Sequence, residues 1–239
     1  IHGMVDYTVD RESLPQVIAS ILHHVNPQRT QTKFLRPKRR KLLAPHPLEA
    51  WEAVQRVRRP DRPTVRDFIN TIFPNFIGIH GDRLVGDDPA IIAGIAELQG
   101  CSVVLIGQQR QFNPGGESQS SYITPHGFRK AQRAMRLASK YNMPMLTLID
   151  TAGPAMGIEA EEGGIGHALA STMALMGELP VPTVATIVGE GGREAALAFG
   201  IADRVIMLEN AIYTPISPEG AASFMFRDDN KTREAAQSL

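Results

Sequence analysis

Two stretches of small residues carry the first chemical signal. One reads Asp150-Thr151-Ala152-Gly153-Pro154-Ala155-Met156-Gly157, after an apolar run and before a segment opening with Glu159, Glu161 and Glu162. The other reads Gly189-Glu190-Gly191-Gly192-Arg193-Glu194-Ala195-Ala196, again after an apolar run. A turn of small residues leading into a helix aims several backbone N–H groups one way, and the helix dipole adds positive potential there. Such a pair can bind a phosphate or stabilise a developing oxyanion. The same small residues also permit tight strand-to-helix packing, and spacing alone does not separate the two readings.

Side chains offer less. Cys101 falls at the start of an expected strand, which predicts a buried, inert thiol. Ser217 and Ser223 have no evident His and Asp partners. Seven histidines are scattered at 2, 23, 24, 46, 80, 126 and 167, without zinc-site spacing, so no metal is expected on this chain. Glu161 and Glu162 could form an acid–base pair, but acidic residues in a first helical turn also simply complement the dipole. His80-Gly81-Asp82-Arg83, followed by Asp87-Asp88, reads either as a polar loop at a site or as a capping network ahead of a strand. Backbone donors, more than side chains, are left to do the work, which suits enolate or oxyanion chemistry on a thioester or a urea.

The elements that must position these turns follow from periodicity. Apolar spacing predicts helices over 12–25, 48–58 and 65–73, the last capped by Thr64. Residues 90–98 and 102–107 are short, β-branched and separated by Gln99-Gly100, a hairpin signal. Pro125 should open a helix running to Tyr141, with Phe128, Ala131, Met135 and Ala138 on one face. Apolar strands are expected at 143–149, 181–188 and 204–208, with helices at 159–176, 193–199 and 218–226. Alternating strands and helices, with strands apolar throughout, imply an α/β domain with a largely parallel sheet buried on both faces. Between residues 26 and 47 lie Lys33, Arg36, Lys38, Arg39, Arg40 and Lys41 among four prolines, which reads as an exposed basic tether.

Composition sets the outer limits. The 239 residues are 43% hydrophobic and 21% charged, with 25 basic and 25 acidic side chains. A balanced charge argues against a protein that works mainly by coating nucleic acid. One cysteine excludes an intrachain disulfide. No apolar run approaches the roughly 20 residues that span a bilayer, and no signal-peptide pattern opens the chain. A cytoplasmic location is the expectation.

Four strings then carry a resemblance. HGDRLVGDDPAIIAGIAELQG from His80, TPHGFRKAQRAMRLASKYNMPMLTLIDTAG from Thr124, AEEGGIGHALASTMALMGELPVPTVATIVGEGG from Ala160 and VIMLENAIYTPISPEGAASFMFRD from Val205 resemble the α subunit of bacterial acetyl-CoA carboxylase carboxyltransferase, over about Trp51 to Ala236. The opening HGMVDYTVDRESLPQVIASIL resembles the tail of the partner β subunit. The resemblance implies a crotonase-like (ClpP/crotonase) fold of repeated ββα units. It also implies the back of a β–α fusion: 1–25 as the tail of a β-like domain, 26–47 as linker, and 48–239 as the α-like domain, with both ends expected to be cut. By the same likeness the β half holds the acyl-CoA or acyl-carrier thioester and any zinc, while the α half faces carboxybiotin on a biotin carboxyl carrier protein. The expected assembly is of the α2β2 type. The resemblance assigns an oxyanion hole to Gly191, Gly192, Glu194, Ala195 and Ala196. It places Gly153, Pro154, Ala155, Met156 and Gly157 along the biotin side of the cleft.

Three segments depart from the family's pattern. Arg193-Glu194-Ala195 stands where the family has Ser-Gly-Gly. The first turn carries Ala152 and Pro154-Ala155-Met156 in place of Pro and Ala-Tyr-Pro. The stretch 111–121 lacks the family's basic residues. These departures leave open a housekeeping enzyme, a specialised or inhibitor-resistant one, a decarboxylase or hydrolase on the same fold, or a non-catalytic paralogue that assembles with a β half.

Overall fold

The computed structural model describes residues 4–6, 9–25, 48–112, 118, 119 and 122–239. The expected basic tether, 26–47, lies outside the described residues, as does most of the stretch 111–121.

A hairpin founds the sheet. Strands β2 (Ile91–Leu98) and β3 (Cys101–Gln108) pair antiparallel in unbroken register from Ile91 opposite Gln108 to Leu98 opposite Cys101. Gln99 and Gly100 connect them, both at positive φ (51° and 79°), the conformation whose twist matches flanking strands. The short β1 (Ile77–Ile79) lies along β2, so close that a Cβ on Gly94 would fall 2.1 Å from the Ile77 carbonyl oxygen. Cys101 is only half-buried, because it opens β3 at this turn rather than within it. After β3, β4 (Gln111–Phe112) and β5 (Ser118–Gln119) pair with each other in a separate two-stranded ribbon.

Beyond the hairpin the main sheet turns parallel. Helix α4 (Pro125–Tyr141) precedes β6 (Met145–Thr151), which pairs parallel with β3. Thr124 caps α4 through its side chain, Pro125 fills the first turn, and Asn142 ends the helix at φ 50°. Helices α5 (Ile158–Glu162) and α6 (Ile165–Glu178) then lead to β7 (Thr183–Gly192), and α7 (Arg193–Gly200) to β8 (Arg204–Met207). The single helix expected at 159–176 is two, broken at Gly163-Gly164, where Gly164 takes φ 77°. The strand order is β1-β2-β3-β6-β7-β8, and β9 (Ile212–Thr214) pairs with the far end of β7.

Alternation along the strands builds two cores. Val104 and Ile106 join Phe128, Ala131, Met135 and Ala138 of α4 on one face. Val103 and Leu105 join Val65, Ile69 and Phe73 around α3 (Val65–Ile72) on the other. Each fully buried side chain of this size contributes roughly 1.5–3 kcal/mol. Thr64 and Asp67 form a reciprocal capping box on α3. A smaller cluster joins Val54 and Val57 of α2 (Ala50–Val57) to Ile212 and to Ala236 of α9 (Thr232–Ser238). The expectation of strands buried on both faces fails at β8, the strand beyond β7 in the sheet order, whose four residues are all exposed. The helix expected at 218–226 is a short α8 (Pro218–Ala221) running into one π turn, Ala222–Phe226.

Ahead of the domain, α1 (Leu14–Val25) rests on β2 through Val25 and a His23–Glu97 contact of 3.3 Å. Its Leu14, Ile18 and Leu22 form a stripe at helical spacing that stays exposed. No helix among the described residues is long and apolar enough to cross a membrane.

Candidate functional site

The second glycine-rich stretch is mostly strand. β7 continues through Gly192, with Gly191 opposite Thr151 of β6 and residues 190–192 of β7 matched along β9 from Ile212 to Thr214. Strands this close explain the glycines. A Cβ on Gly192 would lie 2.6 Å from the Ala152 carbonyl and from the Thr151 oxygen, and one on Gly191 would lie 2.8 Å from the Tyr213 ring. Gly192 itself has φ −89°, so the requirement there is space. Positive φ falls on the next residue, Arg193, at 56°.

Helix α7 starts at that residue. Its first-turn amides have no acceptor within the helix, a consequence of helix geometry. Ala195 and Ala196 are fully buried in the core, so their methyl groups pack inward and their backbone stays helical. Gln108 at the end of β3 donates to the Ala195 carbonyl at 2.7 Å, and Thr147 donates to the Phe199 carbonyl at 2.9 Å, tying α7 to the sheet. The Glu194 side chain is half exposed and sits 3.6 Å from Arg193 Nε.

The first turn lies alongside, and its backbone is largely committed. The Gly153 amide donates to Thr151 Oγ1 at 3.1 Å, the Ile123 amide donates to the Gly153 carbonyl at 3.1 Å, and the Ala155 amide donates to the Ile123 carbonyl at 2.8 Å. Pro154, with no amide proton, bridges to Ile123. Gly153 (φ 139°) leaves room for Arg193, whose Cδ would stand 3.1 Å from any Cβ there. Met156 is exposed, and Arg193 Nη1 donates toward its sulfur at 3.2 Å. The turn is therefore a wall more than a source of donors. The structure keeps Gly153, Pro154, Ala155, Met156 and Gly157 in the first turn, and places Gly191 and Gly192 at the end of β7 and Glu194, Ala195 and Ala196 at the start of α7.

Beneath the turns lies a buried ion network that the sequence reading did not single out. Asp150, 1% exposed, accepts from Arg62 Nη2 at 2.6 and 2.7 Å and from the Glu190 amide at 3.0 Å. Glu190, 4% exposed, pairs with Arg58 at 3.0 Å and with Arg110. Arg58 also reaches Glu219 at 2.6 Å. Burial pushes the Asp150 carboxyl above its ordinary range, against the pull of Arg62 and of the Glu190 amide. The network pins the ends of β6 and β7 together where their register shifts between Ile149 and Thr151. A charge at the end of an apolar strand (Asp150) and another between glycines (Glu190) were the available signals. On the outer side of Arg62 is a cavity of about 560 Å³, walled by Phe68, Val188, Leu208 and Asn210 among others. None of its described lining residues belongs to either turn.

The His80–Asp88 loop is a capping network. Asp82 accepts from the amides of Leu84, Val85 and Gly86 and from Arg129, while Asp88 accepts from the Thr124 amide and hydroxyl. Burial alone would raise the Asp82 carboxyl; these donors outweigh it and hold it at about 2. Among the described residues, no three His, Cys, Asp or Glu side chains gather as metal ligands.

This α/β fold is shared with solved structures of the crotonase-like fold. A transcarboxylase 12S core, solved with methylmalonyl-coenzyme A and methylmalonic acid bound, superposes with a TM-score of 0.72 at 20% identity, over 98% of this chain and 46% of that one. The family follows from sequence comparison. Residues 18–239 match the model of the acetyl co-enzyme A carboxylase carboxyltransferase-like family, and the chain belongs to that family. It is 42% identical over 193 residues to the acetyl-coenzyme A carboxylase carboxyl transferase subunit alpha of Acinetobacter baumannii, covering 80% of this chain and 71% of the relative. It is 40% identical over 242 residues to the subunits beta/alpha protein of Clostridium tetani, covering 100% of this chain but only 42% of the length of that relative.

Proposed function

We propose that this chain supplies the biotin-facing half of a carboxyltransferase that moves a carboxyl group from carboxybiotin, borne on a biotin carboxyl carrier protein, to an acyl thioester. Acetyl-CoA, giving malonyl-CoA, is the acceptor the relatives' names favour. One observation carries the reading: the glycine pair of β7 presses against the first turn and delivers the chain straight into α7, over a buried ion network that fixes both turns. That arrangement holds backbone donors in place before any ligand arrives, which is what stabilising a developing oxyanion requires.

The residues present suit a ureido ring. The start of α7 offers amides with no acceptor in the helix, and Met156 supplies an apolar wall. When bound, biotin supplies a carboxyl group on its ureido nitrogen; that N–C bond breaks, a C–C bond forms at the α-carbon of the thioester, and the α-proton ends on the freed nitrogen. This chain's part is to donate amides of residues 193–196 to the ureido oxygen as charge grows there, and to keep water from the ring with Met156. Loss of one such donor typically costs about 3–4 kcal/mol of barrier.

The thioester belongs to a β half. The exposed stripe of Leu14, Ile18 and Leu22 supports reading 1–25 as the tail of a β-like domain, joined through 26–47 to the α-like domain at 48–239. The beta/alpha relative supports the same order. We extend the proposal to an α2β2-type assembly in the cytoplasm, with any zinc held in the β portion. The test is a carboxyl-exchange assay. Residues 1–239 alone should be inactive, and activity should return with the complete β half. Full activity from residues 1–239 alone would refute the division of labour.

A further inference from the structure

The residue at the corner between β7 and α7 is a cation. Strand, one residue at positive φ, then helix is the geometry that in nucleophile elbows projects a side chain out over the end of a sheet. Here the corner residue is Arg193, at φ 56°, with Gly191 two positions before it and the fully buried Ala195 two positions after. A guanidinium is neither nucleophile nor base near neutral pH; it is a rigid fork of five donors matched to a carboxylate.

Its surroundings leave that fork largely unspent. The side chain lies across the first turn, over Gly153, and Nη1 meets the Met156 sulfur, a weak acceptor, at 3.2 Å. Among the described residues its ion pair is with Glu194, at 3.6 Å, longer than a hydrogen bond, and that carboxylate is half exposed. Contrast Arg58, Arg62 and Arg110 beneath it, which are held by buried carboxylates. Arg193 is also only a quarter exposed, so an anion reaching it between the two turns meets a partly desolvated cation.

We propose that Arg193 recognises the transferable carboxylate itself, so that the biotin side of this cleft discriminates a carboxylated ureido ring from a bare one. The inference rests on the carboxyltransferase reading and deepens it. It gives the replacement of the family's Ser by Arg at this corner a chemical consequence: selectivity for the loaded carrier over the spent one.

The test is equilibrium binding to the complete assembly, by calorimetry. The probes are biotin and a stable N1-carboxymethyl derivative of biotin, which keeps the negative charge but cannot transfer it. The variants are Arg193→Asn, since Asn tolerates positive φ, and Arg193→Lys. Wild type should bind the carboxymethyl derivative more tightly than biotin. Arg193→Asn should lose about tenfold in affinity for the derivative and little for biotin, as expected for one charge-assisted hydrogen-bonded pair. Arg193→Lys should recover part of the difference. If the melting temperature of Arg193→Asn falls, Arg193→Gly, also suited to this φ, is read in its place. Equal affinity changes for both probes, or none, would overturn the role of Arg193 while leaving the carboxyltransferase reading intact. Failure of wild type to bind either probe would overturn both.

Discussion

Replacing Arg62 by Met should be the most damaging single change to the framework under the cleft. Arg62 is the cation held against Asp150, at 2.6 and 2.7 Å, and Asp150 is 1% exposed. Removing one partner of a buried pair leaves an uncompensated charge and typically costs about 3–5 kcal/mol. For a domain of this size each kcal/mol shifts the melting temperature by roughly 2–4 °C, so the drop should be about 6–20 °C. The pH dependence carries the sharper test. Burial raises the native Asp150 carboxyl above its ordinary 3.8, so the native state holds more protons than the unfolded state just above that value. Stability from this group therefore falls as pH rises through the window between the ordinary and the raised value. Without Arg62 the native carboxyl rises further and the window extends upward. Thermal melts of Arg62→Met and wild type at about pH 4.5 and 7.5 should show the larger penalty at the higher pH. Adding Asp150→Asn, which removes the charge but still accepts from the Glu190 amide, should restore much of the loss. A penalty below about 1 kcal/mol, or one equal at both pH values, would refute the reasoning.

The other expectations are narrower. Glu194→Gly should change the turnover number of the complete assembly by less than about tenfold, roughly 1.4 kcal/mol of barrier, because the carboxylate is half exposed beside Arg193; steady-state kinetics check it. Thr64→Ala removes one arm of the capping box on α3 and should cost about 1 kcal/mol by denaturant melt. Asp82, held at about 2, contributes stability that is present above its unfolded value of 3.8 and lost as pH falls toward 2. That contribution is about 2 kcal/mol, and acid titration of Asp82→Asn should show it missing.

Where the governing chemistry is local, the sequence foretold the structure closely. Pro125 fixed the start of α4, Gln99-Gly100 fixed the hairpin, and Thr64 fixed the start of α3. The break at Gly163-Gly164 was also written locally, in two adjacent glycines. Non-local pairing hid the rest. β1 and β9 are three residues each and exist only because β2 and β7 are there to pair with. Residues 189–192 read as a turn because of their glycines, yet those glycines are there to let β6 and β9 approach a strand. The exposure of β8, an apolar strand, is likewise something no periodicity reveals. The candidate turns were found from composition and resemblance. The arginines that brace them were not, since Arg58 and Arg62 lie 132 and 88 residues from Glu190 and Asp150.

Gly192→Ala tests the central claim most directly, because a Cβ there must displace the Ala152 carbonyl 2.6 Å away and with it the junction of the two turns. The measurement is carboxyl transfer from a malonyl thioester to free biotin by the complete assembly, with thioester affinity determined alongside. Wild type should transfer with saturation in biotin. Gly192→Ala should lose transfer by about a hundredfold or more, the scale of a lost oxyanion donor, while thioester affinity is unchanged. Saturable transfer that survives Gly192→Ala undiminished would contradict the placement of the biotin side at this corner of β7 and α7.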